Sequence, residues 1–213
     1  MVKIGARPLG NYDRGIEILF VCTGNICRSP MAEALLRERS RALGLDLVVG
    51  SAGSMFDDRP AERGAVAAMA KLDIDLSGHR SRIFTPEIVG RAGLVIAMEQ
   101  RHVREVSVIP GASFAMTFTL PDLVSRSTSV GPRGQESVET WLGRVGAGRS
   151  PADAMMDQPH REVADPMGGS NRGFRRCAAQ LDDLLDRFVA LAWPSEAVTD
   201  HDGPDRHPTP RSV

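Results

Sequence analysis

The tightest constraint on this chain lies near its start. Residues 16–21 form a short apolar run and end in Cys22-Thr23-Gly24-Asn25-Ile26-Cys27-Arg28-Ser29, after which Pro30 opens a helical stretch. Ser29 before Pro30 reads as a cap followed by a good first helical residue. Met31, Ala34, Leu35, Ala42 and Leu43 lie on or near one face, and Gly44 is a helix stop. Strand, compact loop and helix in that order make the entry to a parallel α/β unit, whose ligand sites lie beyond the carboxyl ends of the strands. A loop wrapped at a helix N-terminus turns its backbone N–H groups inward, and with the helix dipole they favour an anion of phosphate geometry.

The same field favours the thiolate form of a cysteine at the first loop position. Cys22 then reads as an ionised nucleophile. Arg28 presents a planar fork that can hold two phosphoryl oxygens and follow them as they flatten in the transition state. Ser29 can donate its hydroxyl to the departing thiolate. Asn25 tolerates left-handed backbone, and Gly24 removes a side chain from a crowded turn. Cysteine and arginine six positions apart carry little weight alone. The bland alternative is a buried Cys at a strand end and a surface Arg capping a helix. Strand, loop, Arg-Ser-Pro and helix together favour the chemical reading.

Further strands are expected over residues 45–49, 93–98 and 114–118, and helices over 61–72 and 99–106. A last helix starts near Ser170 and carries the stripe Phe174, Cys177, Leu181, Leu184, Leu185, Phe188 and Leu191. Strands alternating with helices imply parallel pairing with right-handed crossovers. Residues 125–134, rich in Ser and Gly, read as loop. Val138, Trp141, Leu142 and Val145 have helical spacing, weakened by Gly143 and Gly146. The expected organisation is a loose arm over 1–15, one domain over 16–192 with an extended 119–164 segment, and a disordered tail over 193–213. Core, substrate slot and partner surface are all open to Trp141, and core is the more common place for such a residue.

At 213 residues and 42% hydrophobic, the chain has material for one core. A net charge of −1 gives no global case for nucleic acid or an anionic membrane. The early apolar run is too short to span a membrane and lacks a signal peptide's flanks. Three cysteines without a secretory signal suit a reducing, cytoplasmic setting.

The segment Leu19-Phe-Val-Cys-Thr-Gly-Asn-Ile-Cys-Arg-Ser-Pro-Met-Ala-Glu33 resembles the phosphate loop of low-molecular-weight protein tyrosine phosphatases. Ser51-Ala-Gly53, Ser77-Gly-His79-Arg-Ser-Arg82 and Asp165-Pro166 resemble three further landmarks, so the likeness spans roughly residues 16–190. The resemblance implies a twisted four-stranded parallel sheet of order 2-1-3-4 with helices on both faces, a flavodoxin- or Rossmann-like α/β architecture. It implies phosphate monoester hydrolysis through a phosphocysteine, without metal or other cofactor. The expected partner is a phosphotyrosine-containing protein or a small phosphate monoester, with inorganic phosphate as product. The loop Thr23 to Ser29 would bind the phosphate, and Asn25, Ser29, Ser51 and His79 would form a polar network supporting it. Cys27 would be a redox partner, forming a reversible disulfide with Cys22 under oxidation.

The leaving oxygen needs a proton in the first step, and water must lose one in the second, so one carboxyl can serve both. Asp165 is the candidate: Pro166 biases it toward extended backbone on a loop ahead of the last helix. An Asp-Pro pair alone is usually a turn, and the resemblance decides for catalysis. Asp57, Asp58, Asp153, Asp157 and Glu162 read as solvated loop charges or helix caps, and His160 as surface. Many relatives follow Asp-Pro with aromatic residues that wall the substrate slot. This chain has Met167, Gly168 and Gly169, so Phe56 and Met167 are the candidate slot residues. Ile26 resembles the tyrosine-directed type, whereas some phosphoarginine-directed relatives carry Thr there. Three alternatives remain. Arsenate reduction would require an external thiol, because Cys177 sits on an apolar stripe and no other cysteine is left for a relay. Protein arginine phosphatase activity and non-catalytic oxyanion or phosphopeptide binding are the other two.

Overall fold

The computed structural model describes residues 16–156 and 158–194. Strands β1 (Glu17–Cys22), β2 (Val48–Gly53), β3 (Leu94–Ala97) and β4 (Thr117–Thr119) pair in parallel in the order β2-β1-β3-β4. Helices α1 (Arg28–Leu43), α2 (Arg63–Met69), α3 (Pro86–Arg91), α4 (Gln100–Ser107), α5 (Leu120–Val130), α6 (Val138–Val145) and α7 (Asn171–Ala192) complete the order. The sheet order is the expected one. Among the described residues no helix is long and apolar enough to cross a membrane.

β1 is paired on both edges and covered on both faces, so its residues are almost uniformly apolar. Ile18, Phe20 and Cys22 face the larger core, which holds Met31 and Leu35 of α1 and Phe174, Leu181 and Leu185 of α7. Leu19 and Val21 alternate to the other face, against Val89 of α3 and Val106 of α4. Helices therefore flank both sides, and the C-terminal end of β1 emerges between them. Gly44 closes α1 at φ 65°, the left-handed geometry that glycine adopts at least cost.

Four local expectations are corrected. Helix α1 begins at Arg28, with Cys27 at the cap position, so Ser29 lies inside the first turn and its hydroxyl turns to Cys22. The second strand is displaced from 45–49 to Val48–Gly53. Gly50 and Gly53 argue against strand in isolation, yet here each admits a close neighbour. A Cβ on Gly50 would meet Arg82 Nη2 at 2.5 Å, and one on Gly53 would meet the Thr23 carbonyl oxygen at 2.6 Å. The fourth strand is shortened to Thr117–Thr119, because Phe114–Met116 forms a 3-10 turn. Residues 125–130 are helix and not loop: the Thr128 hydroxyl donates to the Val124 carbonyl at 2.8 Å, Ser129 donates to Ser125 at 3.1 Å, and Leu123 and Val124 are buried. Tertiary burial there outweighs a weak local propensity. Helix α3 was not expected, although Thr85 before Pro86, with its hydroxyl accepting from Ile88 N–H, is a readable start.

The 119–164 segment packs onto the domain. Trp141 is fully buried, donates from Nε1 to the Gly131 carbonyl at 3.0 Å, and lies 6.3 Å from the Phe188 ring centroid. The Asp122 carboxylate on α5 is buried and faces Arg126 at 3.1 Å, Arg161 at 3.4 Å and Arg149 at 3.8 Å. Arg149 also lies over Phe118, 3.9 Å from its centroid. Burial lowers its guanidinium to about 10, against the opposing pull of Asp122. Trp193, placed in the expected tail, is buried edge-on against Phe188 at 5.8 Å. The arm 1–15 and the rest of that tail, 195–213, lie outside the described residues. Trp141→Ala is expected to cost about 3–5 kcal/mol, a fall in Tm of roughly 6–20 °C for a chain of this size. An unchanged thermal denaturation curve would remove Trp141 from the core.

Candidate active site

The loop after β1 wraps around the Cys22 sulfur. The Ser29 hydroxyl lies 3.0 Å from Sγ, and the Asn25 backbone N–H donates to it at 3.3 Å. Asn25 takes φ 49°, the left-handed geometry expected of it. Its Nδ2 donates to Ser29 Oγ at 2.9 Å and Ser51 Oγ at 2.8 Å, while its Oδ1 accepts from the Arg82 N–H at 3.0 Å. His79 Nε2 donates to the Asn25 carbonyl at 2.7 Å. Ser51 in turn donates to Glu33, which pairs with Arg37 at 2.6 Å. The loop is thus held from the β2 side by a chain of bonds that begins at the sulfur.

Arg28 anchors the opposite side. It is 2% exposed, donates from Nη1 to the Val163 carbonyl at 3.1 Å, pairs with Glu99, and pairs through Nη2 with Asp165 Oδ2 at 2.9 Å. A buried guanidinium needs such partners. Burial alone would raise the Glu99 carboxyl, but hydrogen bonds from Arg101 and Arg28 and the charge of Arg28 outweigh it and hold it at about 2. Arg101 reaches Glu99 at 2.6 Å and also donates to the Thr23 hydroxyl. Fully buried His102 places Nε2 3.0 Å from that hydroxyl. Burial, with help from the Arg28 and Arg101 charges, lowers His102 to about 3, so its ring is neutral at ordinary pH.

Above the loop opens a cleft of about 210 Å³, floored by Cys22, Thr23, Gly24, Ile26, Cys27 and Arg28 and walled by Met55, Phe56, Asp165 and Met167. Phe56 can lie close because Gly24 has no side chain: a Cβ there would meet its ring at 3.1 Å. The Arg59 guanidinium sits over the Phe56 ring, 5.0 Å from its centroid. Cys27 turns its sulfur to Met167 Sδ at 3.2 Å, and burial, with the neighbouring Cys22 and Asp165, pushes its thiol well above the usual range. All three cysteines are free, and burial raises Cys177 to about 12.

The model of the family described as low molecular weight phosphotyrosine protein phosphatase matches residues 17–130, which takes in the loop, Ser51, His79 and Glu99. The chain belongs to that family. The protein-arginine-phosphatase of Bacillus subtilis (strain 168) is 32% identical over 175 residues, covering 82% of this chain and 95% of that one. A probable low molecular weight protein-tyrosine-phosphatase, EpsP, of Ralstonia solanacearum is 38% identical over 106 residues, covering 50% and 71%. Among solved structures, a low molecular weight protein tyrosine phosphatase from T. tengcongensis superposes with a TM-score of 0.62 at 30% identity, covering 82% of this chain and 97% of that one.

In this phosphatase-family chain, Cys22, Arg28 and Asp165 come together at one cleft, and Phe56 and Met167 flank it. Asn25, Ser29, Ser51 and His79 meet behind the loop. Of the carboxylates read as loop charges or helix caps, Asp57 and Asp58 are exposed, Asp153 accepts from the Ser150 N–H at 2.7 Å, and Glu162 accepts from the Gln100 N–H at 3.0 Å. Asp157 lies outside the described residues. Glu33, Glu99, Arg101 and His102 went unnoticed in the sequence. The signal for Glu99 was available, since Met98-Glu99 directly follows β3, at the strand ends where parallel sheets gather their functional groups.

Proposed function

We propose that this chain hydrolyses phosphotyrosine and other aryl phosphate monoesters in two steps through a phosphocysteine. The Cys22 thiolate attacks phosphorus, the P–O bond to the leaving group breaks, and Asp165 supplies the proton that the departing oxygen takes up. Water then attacks the phosphocysteine, gives its proton to Asp165, and releases inorganic phosphate and the Cys22 thiolate, which Ser29 stabilises. Arg28 grips the equatorial phosphoryl oxygens through both steps. The observation that carries this reading is the meeting of the Cys22 sulfur, the Arg28 guanidinium and the Asp165 carboxyl in one cleft whose other walls, Phe56, Met55 and Met167, suit a flat aromatic ring. A nucleophilic thiol works where thiols stay reduced, which favours the cytoplasm.

Protein arginine phosphatase activity is the second reading, favoured by similarity to the B. subtilis enzyme along nearly its whole length. Ile26 in the cleft floor leans toward the aryl ester. Arsenate reduction through an internal relay lacks a partner, because Cys177 is buried on α7.

The test is hydrolysis of a phosphotyrosine peptide, p-nitrophenyl phosphate and phosphoarginine with reductant present. In Asp165→Asn, kcat/KM for the peptide is expected to fall by about 10²–10³-fold. The p-nitrophenyl ester should lose far less, because p-nitrophenolate departs without a proton. Turnover of phosphoarginine with none of the phosphotyrosine peptide would install the second reading in place of the first.

A further inference from the structure

The Asp165 loop is strapped down at every residue but one. Arg161 pairs with buried Asp122 of α5 at 3.4 Å. Glu162 accepts the Gln100 N–H at 3.0 Å. The Val163 N–H donates to the Met98 carbonyl at 2.8 Å, extending the end of β3, and its own carbonyl accepts from Arg28. Ala164 is exposed, and Asp165 follows, paired with Arg28.

Glu162 is the unusual member of this series. The first N–H groups of helix α4 have no carbonyl of the preceding turn to bond, and no acidic residue stands in its first turn. Glu99 holds the cap position, but its side chain makes no capping bond, because its carboxylate is engaged by Arg28 and Arg101. The capping task falls to a carboxylate from a distant loop, which therefore becomes tied to α4. That helix also carries Arg101 and His102, the two side chains on the Thr23 hydroxyl of the phosphate loop. One carboxylate thus ties the Asp165 loop to the helix that touches the loop holding the ester, beside the backbone tie at Val163.

We infer that Glu162 is a positioning residue for the proton donor. It acts through Asp165, and the inference rests on the phosphocysteine reading above. Without its bond to Gln100 the strap is left with its ends at Arg161 and Val163, and the Asp165 carboxyl meets the leaving oxygen less often. The loss falls on transfer to Cys22 in proportion to how far the leaving oxygen depends on a proton, while the bonds that Arg28 makes to Glu99 and Val163 do not involve Glu162.

The experiment compares kcat/KM, which reports steps up to departure of the leaving group, for phenyl phosphate and p-nitrophenyl phosphate. The full chain is used with Glu162→Ala, Glu162→Gln, Asp165→Asn and the double variant Glu162→Ala/Asp165→Asn. Glu162→Ala is expected to lower the phenyl phosphate value about tenfold and the p-nitrophenyl value less than about threefold, the scale of a slightly misplaced catalytic group. Glu162→Gln keeps an oxygen acceptor for the Gln100 N–H and should recover most of the loss. In the Asp165→Asn background Glu162→Ala should add less than about twofold, since the group it positions is gone. Equal losses on both esters, with weaker inhibition by inorganic phosphate, would make Glu162 a structural support and overturn the inference. So would a tenfold loss that persists without Asp165. If Asp165→Asn itself shows no selective loss on phenyl phosphate, the proton-donor reading falls and takes this inference with it. Failure of Glu162→Ala alone leaves that reading standing.

Discussion

Cys22→Ser is expected to abolish turnover, lowering kcat by at least about 10⁴-fold, while inorganic phosphate continues to bind. The two halves of this result have separate causes. A serine hydroxyl at this position is a poor nucleophile, since among the described residues the side chain within hydrogen-bond distance of it is another hydroxyl, that of Ser29 at 3.0 Å. The loop amides, however, are aimed by the backbone. That backbone is set by Asn25, with its bonds to Ser29, Ser51, Arg82 and His79. None of those bonds requires the sulfur. Inhibition assays cannot be run on a dead enzyme, so phosphate binding is read by calorimetry or by the rise in Tm with added phosphate. Turnover by the serine variant near the wild-type rate would end the phosphocysteine mechanism.

Arg28→Lys is expected to fail in both respects, with kcat/KM falling by about 10³-fold or more and phosphate protection lost. The guanidinium of Arg28 meets three acceptors in different directions: Glu99, the Val163 carbonyl and Asp165. An ammonium is a point charge on a flexible stem and cannot present two parallel donors to a phosphoryl group. Replacement also leaves Glu99 short of one of the two arginines that hold it ionised. Retention of wild-type kcat/KM in the lysine variant would show that charge alone serves, and that the planar fork is irrelevant. Together the variants separate capture of the phosphoryl group from attack upon it.

Much of this was written locally. The apolar run into Cys22 and the helix that follows the loop are strong signals because strand, loop and helix each constrain only a few neighbouring dihedrals, although the helix starts at Arg28, ahead of the Ser-Pro pair. The four-strand order was legible through family likeness more than through periodicity, since β3 and β4 are only four and three residues long. Asp165 was legible on the same ground, as Asp-Pro is by itself an ordinary turn. Strand β2 was misplaced by local pattern, since the place of Gly50 and Gly53 in it depends on Arg82 and Thr23 arriving from elsewhere. Helix α5 was not expected, because the serines of its second half look like loop until its buried face against α7 is known.

The sequence by itself determined the strand, the loop from Cys22 to Arg28 and the left-handed turn at Asn25, because these lie within one short stretch whose geometry is local. Tertiary structure alone decided what holds that chemistry in place. Glu33, Glu99, Arg101, His102 and Glu162 come from α1, from the end of β3, from α4 and from the Asp165 loop. Each is an unremarkable polar residue in its own stretch of chain. They acquire roles only because buried charges and free helix N–H groups must find partners, and the parallel sheet delivers the ends of its strands to one place.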